Sequence, residues 1–272
     1  MSAQNYIKRI TAPDITARKG KEPIVCLTAY DAPTAAILDE HCDLLLVGDS
    51  VGMVVHGLTS TVGVTLDMMI LHGQAVMRGS HKALVVVDLP FGAYEDSVET
   101  AFKSASRVMI ETGCQAVKIE SGSYAADTIR YLVERGIPVM SHVGLRPQSQ
   151  YVMGGFRARG RQQNIADEII ENAKAAAEAG SFAVVVEGVS EEIANIVTKE
   201  VSIPTIGIGA SAQCDGQILV TPDMCGLFDR VPKFVHKFGN QKEMVEKAVS
   251  EYAHDVKERN FPRAENVYHF KK

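Results

Sequence analysis

Tryptophan is absent from this 272-residue chain, aromatic residues make up only 6% of it, and none of its five cysteines forms a Cys-x-x-Cys pair. Cys26, Cys42, Cys114, Cys214 and Cys225 are scattered and odd in number. That argues against a disulfide framework and a structural zinc site, and reads the cysteines mostly as small core hydrophobes. Positive charge is also scarce: 28 Lys and Arg stand against 33 Asp and Glu, a net charge of −5. Without surplus Lys and Arg to neutralise phosphates, there is no electrostatic case for nucleic acid. No uncharged apolar stretch approaches the roughly 20 residues of a membrane span. The first segment mixes Lys8, Arg9 and Asp14 into its apolar pairs, unlike a signal peptide. The expectation is a cytoplasmic protein that handles small molecules, with no nucleic-acid or membrane partner.

What the chain does have is alternation. Short apolar, β-branched runs occur at Ile24–Ala29, Leu44–Val47, Ala83–Val87, Ala116–Ile119, Val139–Ser141, Ala183–Val186, Thr205–Ile208 and Gln217–Val220, eight in all. Helix-period stretches lie between most of them, at 32–41, 66–78, 98–112, 125–135, 165–179 and 191–200. Strands apolar on both faces, joined by helical crossovers, belong in a parallel sheet with helices packed outside. Eight such units predict a closed (β/α)8 TIM-type barrel, with a doubly wound open sheet as the alternative. The reading is one barrel domain over 1–272 with N- and C-terminal helical extensions, 242–272 forming a C-terminal helix and a polar tail. The loop 146–163 is long and carries Gly154, Gly155, Gly160, Arg157, Arg159 and Arg161; it reads either as a lid or anion-contacting loop, or as a solvated surface loop.

Ionisable residues fall at the carboxyl ends of these runs: Asp49, Asp88, Glu120, His142 and Glu187. In a barrel those ends converge on one mouth, where active sites of this fold are built. For any one of them a helix cap or loop charge is the blander reading; together they point to a site. Lys118 and Glu120 are two residues apart on one strand and so share a face. A buried lysine there needs an anionic partner, either a carboxylate of the protein or that of a substrate. Asp49, Asp88 and Glu120 are an all-oxygen set suited to a hard cation such as Mg²⁺. Such an ion would polarise an α-keto acid and stabilise its enolate, with Glu187 as the proton-transfer residue. His142 reads as a proton relay or a core histidine, and His72 as a packing residue. Gly207 and Gly209 mark a turn that either lets backbone N–H groups approach a ligand anion or simply needs glycine.

The segments Val47-Gly48-Asp49-Ser50-Val51-Gly52-Met53, Asp88-Leu89-Pro90-Phe91-Gly92-Ala93-Tyr94, Val117-Lys118-Ile119-Glu120, His142-Val143-Gly144-Leu145-Arg146-Pro147-Gln148-Ser149 and Ile206-Gly207-Ile208-Gly209-Ala210, with Thr28-Ala29-Tyr30-Asp31 before them and Asp215-Gly216-Gln217 after, resemble the ketopantoate hydroxymethyltransferase family. The resemblance implies a Mg²⁺-dependent barrel that forms homo-oligomers, often decamers. The implied reaction transfers a one-carbon unit from 5,10-methylenetetrahydrofolate to the Mg-bound enolate of 3-methyl-2-oxobutanoate, giving 2-dehydropantoate and tetrahydrofolate for pantothenate and coenzyme A synthesis. By matching position, Asp49, Asp88 and Glu120 resemble the metal site. Asp49, Ser50, Asp88 and Lys118 resemble the substrate contacts, and Glu187 the proton acceptor, with Tyr30, His142, Gly207 and Gly209 as accessory positions. The alternatives are a Mg-dependent C–C lyase or phosphoenolpyruvate mutase-like enzyme, a Schiff-base aldolase using Lys118, and a non-catalytic barrel that binds a keto acid. The Lys-Lys-Cys-Gly-His-type loop typical of the first is absent from the sequence.

Overall fold

The computed structural model describes residues 8–122, 124–155 and 163–270. Eight parallel strands, β1 (Ile24–Thr28), β2 (Leu44–Val47), β3 (Leu84–Asp88), β4 (Ala116–Glu120), β5 (Val139–Gly144), β6 (Ala183–Glu187), β7 (Thr205–Ile208) and β8 (Gly216–Leu219), close in sequence order into a barrel. The open-sheet alternative is excluded by the pairing of β1 with β8, where Cys26 stands opposite Ile218. The strands β2 and β7 and the helices Val98–Thr112 and Glu191–Glu200 have the ends expected from the sequence. Four strands run further: Asp88, Glu120, His142 and Glu187 belong to β3, β4, β5 and β6 rather than to the loops beyond. Their backbones are thereby held by the barrel's hydrogen-bond ladder.

Strand periodicity decides where each side chain goes. Ile24, Cys26, Leu44, Leu46, Leu84, Val86, Ala116, Met140, Ala183, Val185, Ile206 and Ile218 pack together as the barrel interior. The alternating residues Leu45, Val47, Val85, Val87, Val117, Ile119 and Val139 form a second core with the surrounding helices. Two residues beyond Val86, Ala116, Met140 and Val185 on the interior set come Asp88, Lys118, His142 and Glu187, and Glu120 follows Lys118 by two. Layers of apolar side chains thus end in a layer of ionisable ones at the carboxyl end of the barrel, as the period of two requires.

The outer helices start and stop where the side-chain chemistry dictates. Ser97 caps Val98–Thr112 by accepting the N–H of Thr100, and Gly113 ends it at φ 78°. Asp31 caps Ala32–Leu38 and Thr65 caps Leu66–Gly79 in the same way. Each cap satisfies an otherwise unpaired N–H of the first turn.

The chain forms two compact units, Met1–Val220, which holds the barrel, and Thr221–Lys272. The second contains the helix Gln241–Lys257, which has no buried residue. Met244, Val245, Val249, Tyr252 and Val256 are exposed along it, and the following segment exposes Phe261, Tyr268 and Phe270. Of the long loop, residues 156–162, with Arg157, Arg159, Gly160 and Arg161, lie outside the described residues; Gly154 and Gly155 lie within them. Among the described residues no helix is long and apolar enough to cross a membrane.

Candidate active site

Asp49 sits in the turn after β2, and its backbone N–H donates to Asp88 Oδ2 at 3.0 Å. The other oxygen of Asp88, Oδ1, pairs with Lys118 Nζ at 2.7 Å, with both side chains almost wholly buried. Asp88 and Lys118 are register partners on β3 and β4, which makes this pairing direct. The partner of Lys118 inside the protein is therefore Asp88, a neighbour across the sheet, rather than Glu120 two residues along its own strand. Burial works to lower the Lys118 pKa, but Asp88, Asp49 and Glu120 overcome it and hold the ammonium charged.

Three carboxylates against one ammonium leave negative charge in excess. Burial, and then the charge of Asp88, push Asp49 up to about 7, against the pull of Lys118 and a hydrogen bond from Gln148. Glu120 is likewise raised by burial and by Asp49. Its Oε1 accepts the backbone N–H of Gln148 at 3.0 Å, whereas its Oε2 is buried with no hydrogen-bond partner among the described residues. Buried charges are tolerated when something compensates them, so this group is chemically poised for a cation. Among the described residues no three His, Cys, Asp or Glu side chains gather closely enough to hold a metal by themselves. A cation here would rely on waters or substrate oxygens for much of its coordination, the habit of Mg²⁺.

On the neighbouring strands, His142 Nε2 lies 3.1 Å from Glu187 Oε2, and Lys118 Nζ is 3.5 Å from His142 Nδ1. Burial and the Lys118 charge lower the His142 pKa, with Glu187 opposing, so the imidazole is neutral. His142 is thus not an inert core histidine: it joins the cluster around Lys118 to Glu187, which is the more solvent-accessible of that pair.

Ser50 Oγ is 2.8 Å from the Tyr30 hydroxyl, which burial keeps protonated. Behind this pair, His72 Nδ1 contacts the Tyr30 carbonyl at 2.6 Å, and its Nε2 is 2.8 Å from His56 Nε2. His72 is therefore a hydrogen-bonding residue, a correction to its reading as packing alone. Gly209, at φ 58°, occupies the left-handed region, and a Cβ on Gly207 would crowd Cys214 and Gln217 at 3.1 Å. Both positions thus have a local backbone or packing reason to be glycine.

Two residues of this site escaped the sequence reading. Gln148 and Tyr94 are buried between the carboxylates and bonded to one another at 2.7 Å, although 54 positions apart. Both lie in the motif segments, but no periodicity marks a loop glutamine or a loop tyrosine as a partner of strand-end carboxylates.

With this geometry in place, comparison with known proteins is decisive at the level of family. The family model described as ketopantoate hydroxymethyltransferase matches residues 9–264. The chain belongs to this family. It is 64% identical over 276 residues to 3-methyl-2-oxobutanoate hydroxymethyltransferase of Maricaulis maris, covering 100% of this chain and 99% of that protein. It is 63% identical over 272 residues to the protein of the same name from Hyphomonas neptunium, with the same coverage. As a ketopantoate hydroxymethyltransferase family member it is a transferase. Among solved structures, phosphoenolpyruvate phosphomutase of Streptomyces platensis subsp. rosaceus superposes with a TM-score of 0.60 at 12% identity, over 91% of this chain and 88% of that one. A phosphonopyruvate hydrolase solved with oxalate and Mg²⁺ gives a TM-score of 0.59 at 11% identity, over 94% and 93%. At such identities the likeness is one of fold.

Proposed function

We propose that the chain transfers a hydroxymethyl unit from 5,10-methylenetetrahydrofolate to 3-methyl-2-oxobutanoate, consuming water and giving 2-dehydropantoate and tetrahydrofolate. It would thereby serve pantothenate and coenzyme A synthesis. Family membership supports the reaction class. The observation that carries the site assignment is the opposition, in one barrel mouth, of an oxygen-rich, negatively charged cluster and a more accessible carboxylate.

Ser50 and Lys118 hold the substrate carboxylate, since a hydroxyl and a charged ammonium are the donors available beside Asp88. Glu187 takes the C3 proton. A neutral His142 beside it can donate to Glu187 without neutralising it, keeping the carboxylate oriented and able to accept. Asp49, Asp88 and Glu120 would hold Mg²⁺, and the excess of buried carboxylates with the unpartnered Glu120 Oε2 fits such an ion. When bound, Mg²⁺ supplies Lewis-acid polarisation of the keto group. Tyr30 fixes the Ser50 hydroxyl. The enolate carbon would then form the new C–C bond to the one-carbon unit, and water would replace the folate nitrogens on that carbon as the C–N bonds break, releasing tetrahydrofolate.

The working form is a homo-oligomer, a decamer by family resemblance. Exposed Met244, Val245, Val249, Tyr252 and Val256 give the helix Gln241–Lys257 apolar surface that supports association.

The test is proton NMR of 3-methyl-2-oxobutanoate in D₂O with the protein, with and without Mg²⁺ and without folate. Metal-dependent loss of the C3 proton signal is expected. Binding of the keto acid with no exchange, even when tetrahydrofolate is present, would refute the enolising role.

A further inference from the structure

Gln148 and Tyr94 take no part in the steps above, yet their hydrogen bonds close a circuit around two of the three carboxylates. The Glu120 N–H donates to the Tyr94 hydroxyl at 3.1 Å. An N–H can only donate, so the phenol oxygen accepts there and its own proton is free for Gln148 Oε1, 2.7 Å away. Tyr94 stays protonated, because burial and then Glu120 raise its pKa. With Oε1 committed to Tyr94, the amide nitrogen of Gln148 faces the other way. It donates one hydrogen to Asp49 Oδ2 at 2.8 Å and the other to the Leu89 carbonyl at 3.0 Å. The reversed amide would set its oxygen against a carboxylate and a carbonyl, so one orientation survives. The backbone N–H of Gln148 closes the circuit on Glu120 Oε1 at 3.0 Å.

One residue therefore engages one oxygen of Asp49 and one oxygen of Glu120. Asp88 has both oxygens engaged, by the Asp49 N–H and by Lys118, so it would meet an ion through a water or one remaining lone pair and not bidentately. No carboxylate of the set is left with two uncommitted oxygens. Ca²⁺ accepts bidentate carboxylates and six to eight oxygens, whereas Mg²⁺ takes single oxygens in a tight octahedron and keeps waters.

We infer that Gln148, oriented by Tyr94, is a positioning residue that selects the ion, holding Asp49 and Glu120 to one available oxygen each so that the site favours Mg²⁺ over Ca²⁺. The inference rests on the assignment of Asp49, Asp88 and Glu120 as the metal site. It adds that ion preference is set by a glutamine and a tyrosine that touch neither substrate nor ion.

The experiment is equilibrium binding of Mn²⁺ to the full-length protein, followed by electron paramagnetic resonance, with Mg²⁺ and Ca²⁺ as competitors. The variants are Gln148→Met, which keeps volume and removes both donors, and Tyr94→Phe, which removes only the orienting hydroxyl. In the unsubstituted protein Mg²⁺ should displace Mn²⁺ at lower concentration than Ca²⁺ does. Gln148→Met should weaken Mn²⁺ and Mg²⁺ by about 10- to 100-fold, the usual effect of losing a partner behind a metal ligand. Ca²⁺ should weaken less, so the Mg²⁺ preference narrows. Tyr94→Phe should shift the preference in the same direction by a smaller factor. A purely structural role would weaken all ions alike or none, so an unchanged Mg²⁺-to-Ca²⁺ ratio in both variants overturns the inference. If the unsubstituted protein binds none of these ions, the metal-site reading itself falls, and the inference with it.

Discussion

His142 Nε2 and Glu187 Oε2 meet at 3.1 Å across β5 and β6, while the other imidazole nitrogen faces the Lys118 ammonium at 3.5 Å. An ammonium has only hydrogens to give, so Nδ1 must accept and Nε2 must carry the proton. Lys118 thus donates both ways, to Asp88 and toward His142, and the Nε2 proton of a neutral His142 faces the Glu187 carboxylate at 3.1 Å. A carboxylate with a neutral neighbour on that side is oriented without being paired to a cation, which suits the proposed removal of a carbon-bound proton.

Substituting Glu187→Gln should lower turnover by at least about 10²- to 10⁴-fold, the range for loss of a general base. Metal-dependent binding of the keto acid should remain, because Ser50, Lys118 and the carboxylate cluster are untouched. Steady-state kinetics beside calorimetric titration of the keto acid separates the two. Lost binding with an intact chemical step would contradict the role.

His142 should behave as a support for Glu187. His142→Phe removes the donor and should reduce kcat by about 10-fold or more, with a smaller effect on KM. His142→Gln can still present an N–H toward Glu187 and should recover part of the loss. A kcat for His142→Phe equal to or above that of His142→Gln would show that the hydrogen bond toward Glu187 does not matter.

Much of this arrangement was legible in the sequence because it follows from periodicity. Each of Asp88, Glu120, His142 and Glu187 ends an apolar run, and an interior residue every second position carries the next one into the mouth. The closure of the barrel followed from counting eight such runs. What could not be read was the pairing. Lys118 chooses Asp88 because β3 and β4 are neighbours in a register that only the folded sheet defines. Gln148 and Tyr94 were invisible as partners for the same reason: loops have no period, and their contacts are set by where the barrel places the loop ends. His72 looked like packing because it sits among Met68 and Met69, and its partners Tyr30 and His56 come from other segments.

The raised Asp49 pKa makes stability depend on pH in a direction opposite to that of an ordinary salt-bridged aspartate. In the unfolded chain Asp49 loses its proton near pH 4, as free aspartate does. In the folded protein it holds that proton until about 7. The folded state therefore binds more protons across this window, and the stability that this brings is complete below the unfolded value and lost as pH rises through 7. Without divalent ions Tm should fall by roughly 5 °C between about pH 5 and about pH 8. Mg²⁺ should restore it more at the upper end, where the carboxylates are ionised. Thermal scans in EDTA and in Mg²⁺ at both pH values test this, and an equal Mg²⁺ effect at both would count against it.

Gly144 ends β5 at φ +93°, and a Cβ there would run into the carbonyl oxygen of Glu187 and stand 2.8 Å from Val189 Cγ1. The strand pairing leaves no room, because Gly144 is the register partner of Glu187 itself. Gly144→Ala must either strain φ or push β6 outward, and β6 carries Glu187, the proposed proton acceptor. Overpacking of this kind costs about 1–3 kcal/mol. A displacement near 1 Å at a reacting group can cost about 10²-fold in rate. Gly154 is the matched control: it also has positive φ, at +73°, but nothing among the described residues lies within 4 Å of its Cβ position. Gly154→Ala should thus cost only the backbone strain, about 1–2 kcal/mol, without moving Glu187. Measuring Tm and C3-proton exchange in both variants separates strain from displacement. If Gly144→Ala loses stability no more than Gly154→Ala and still exchanges normally, the close approach of β5 to Glu187 does not position the acceptor.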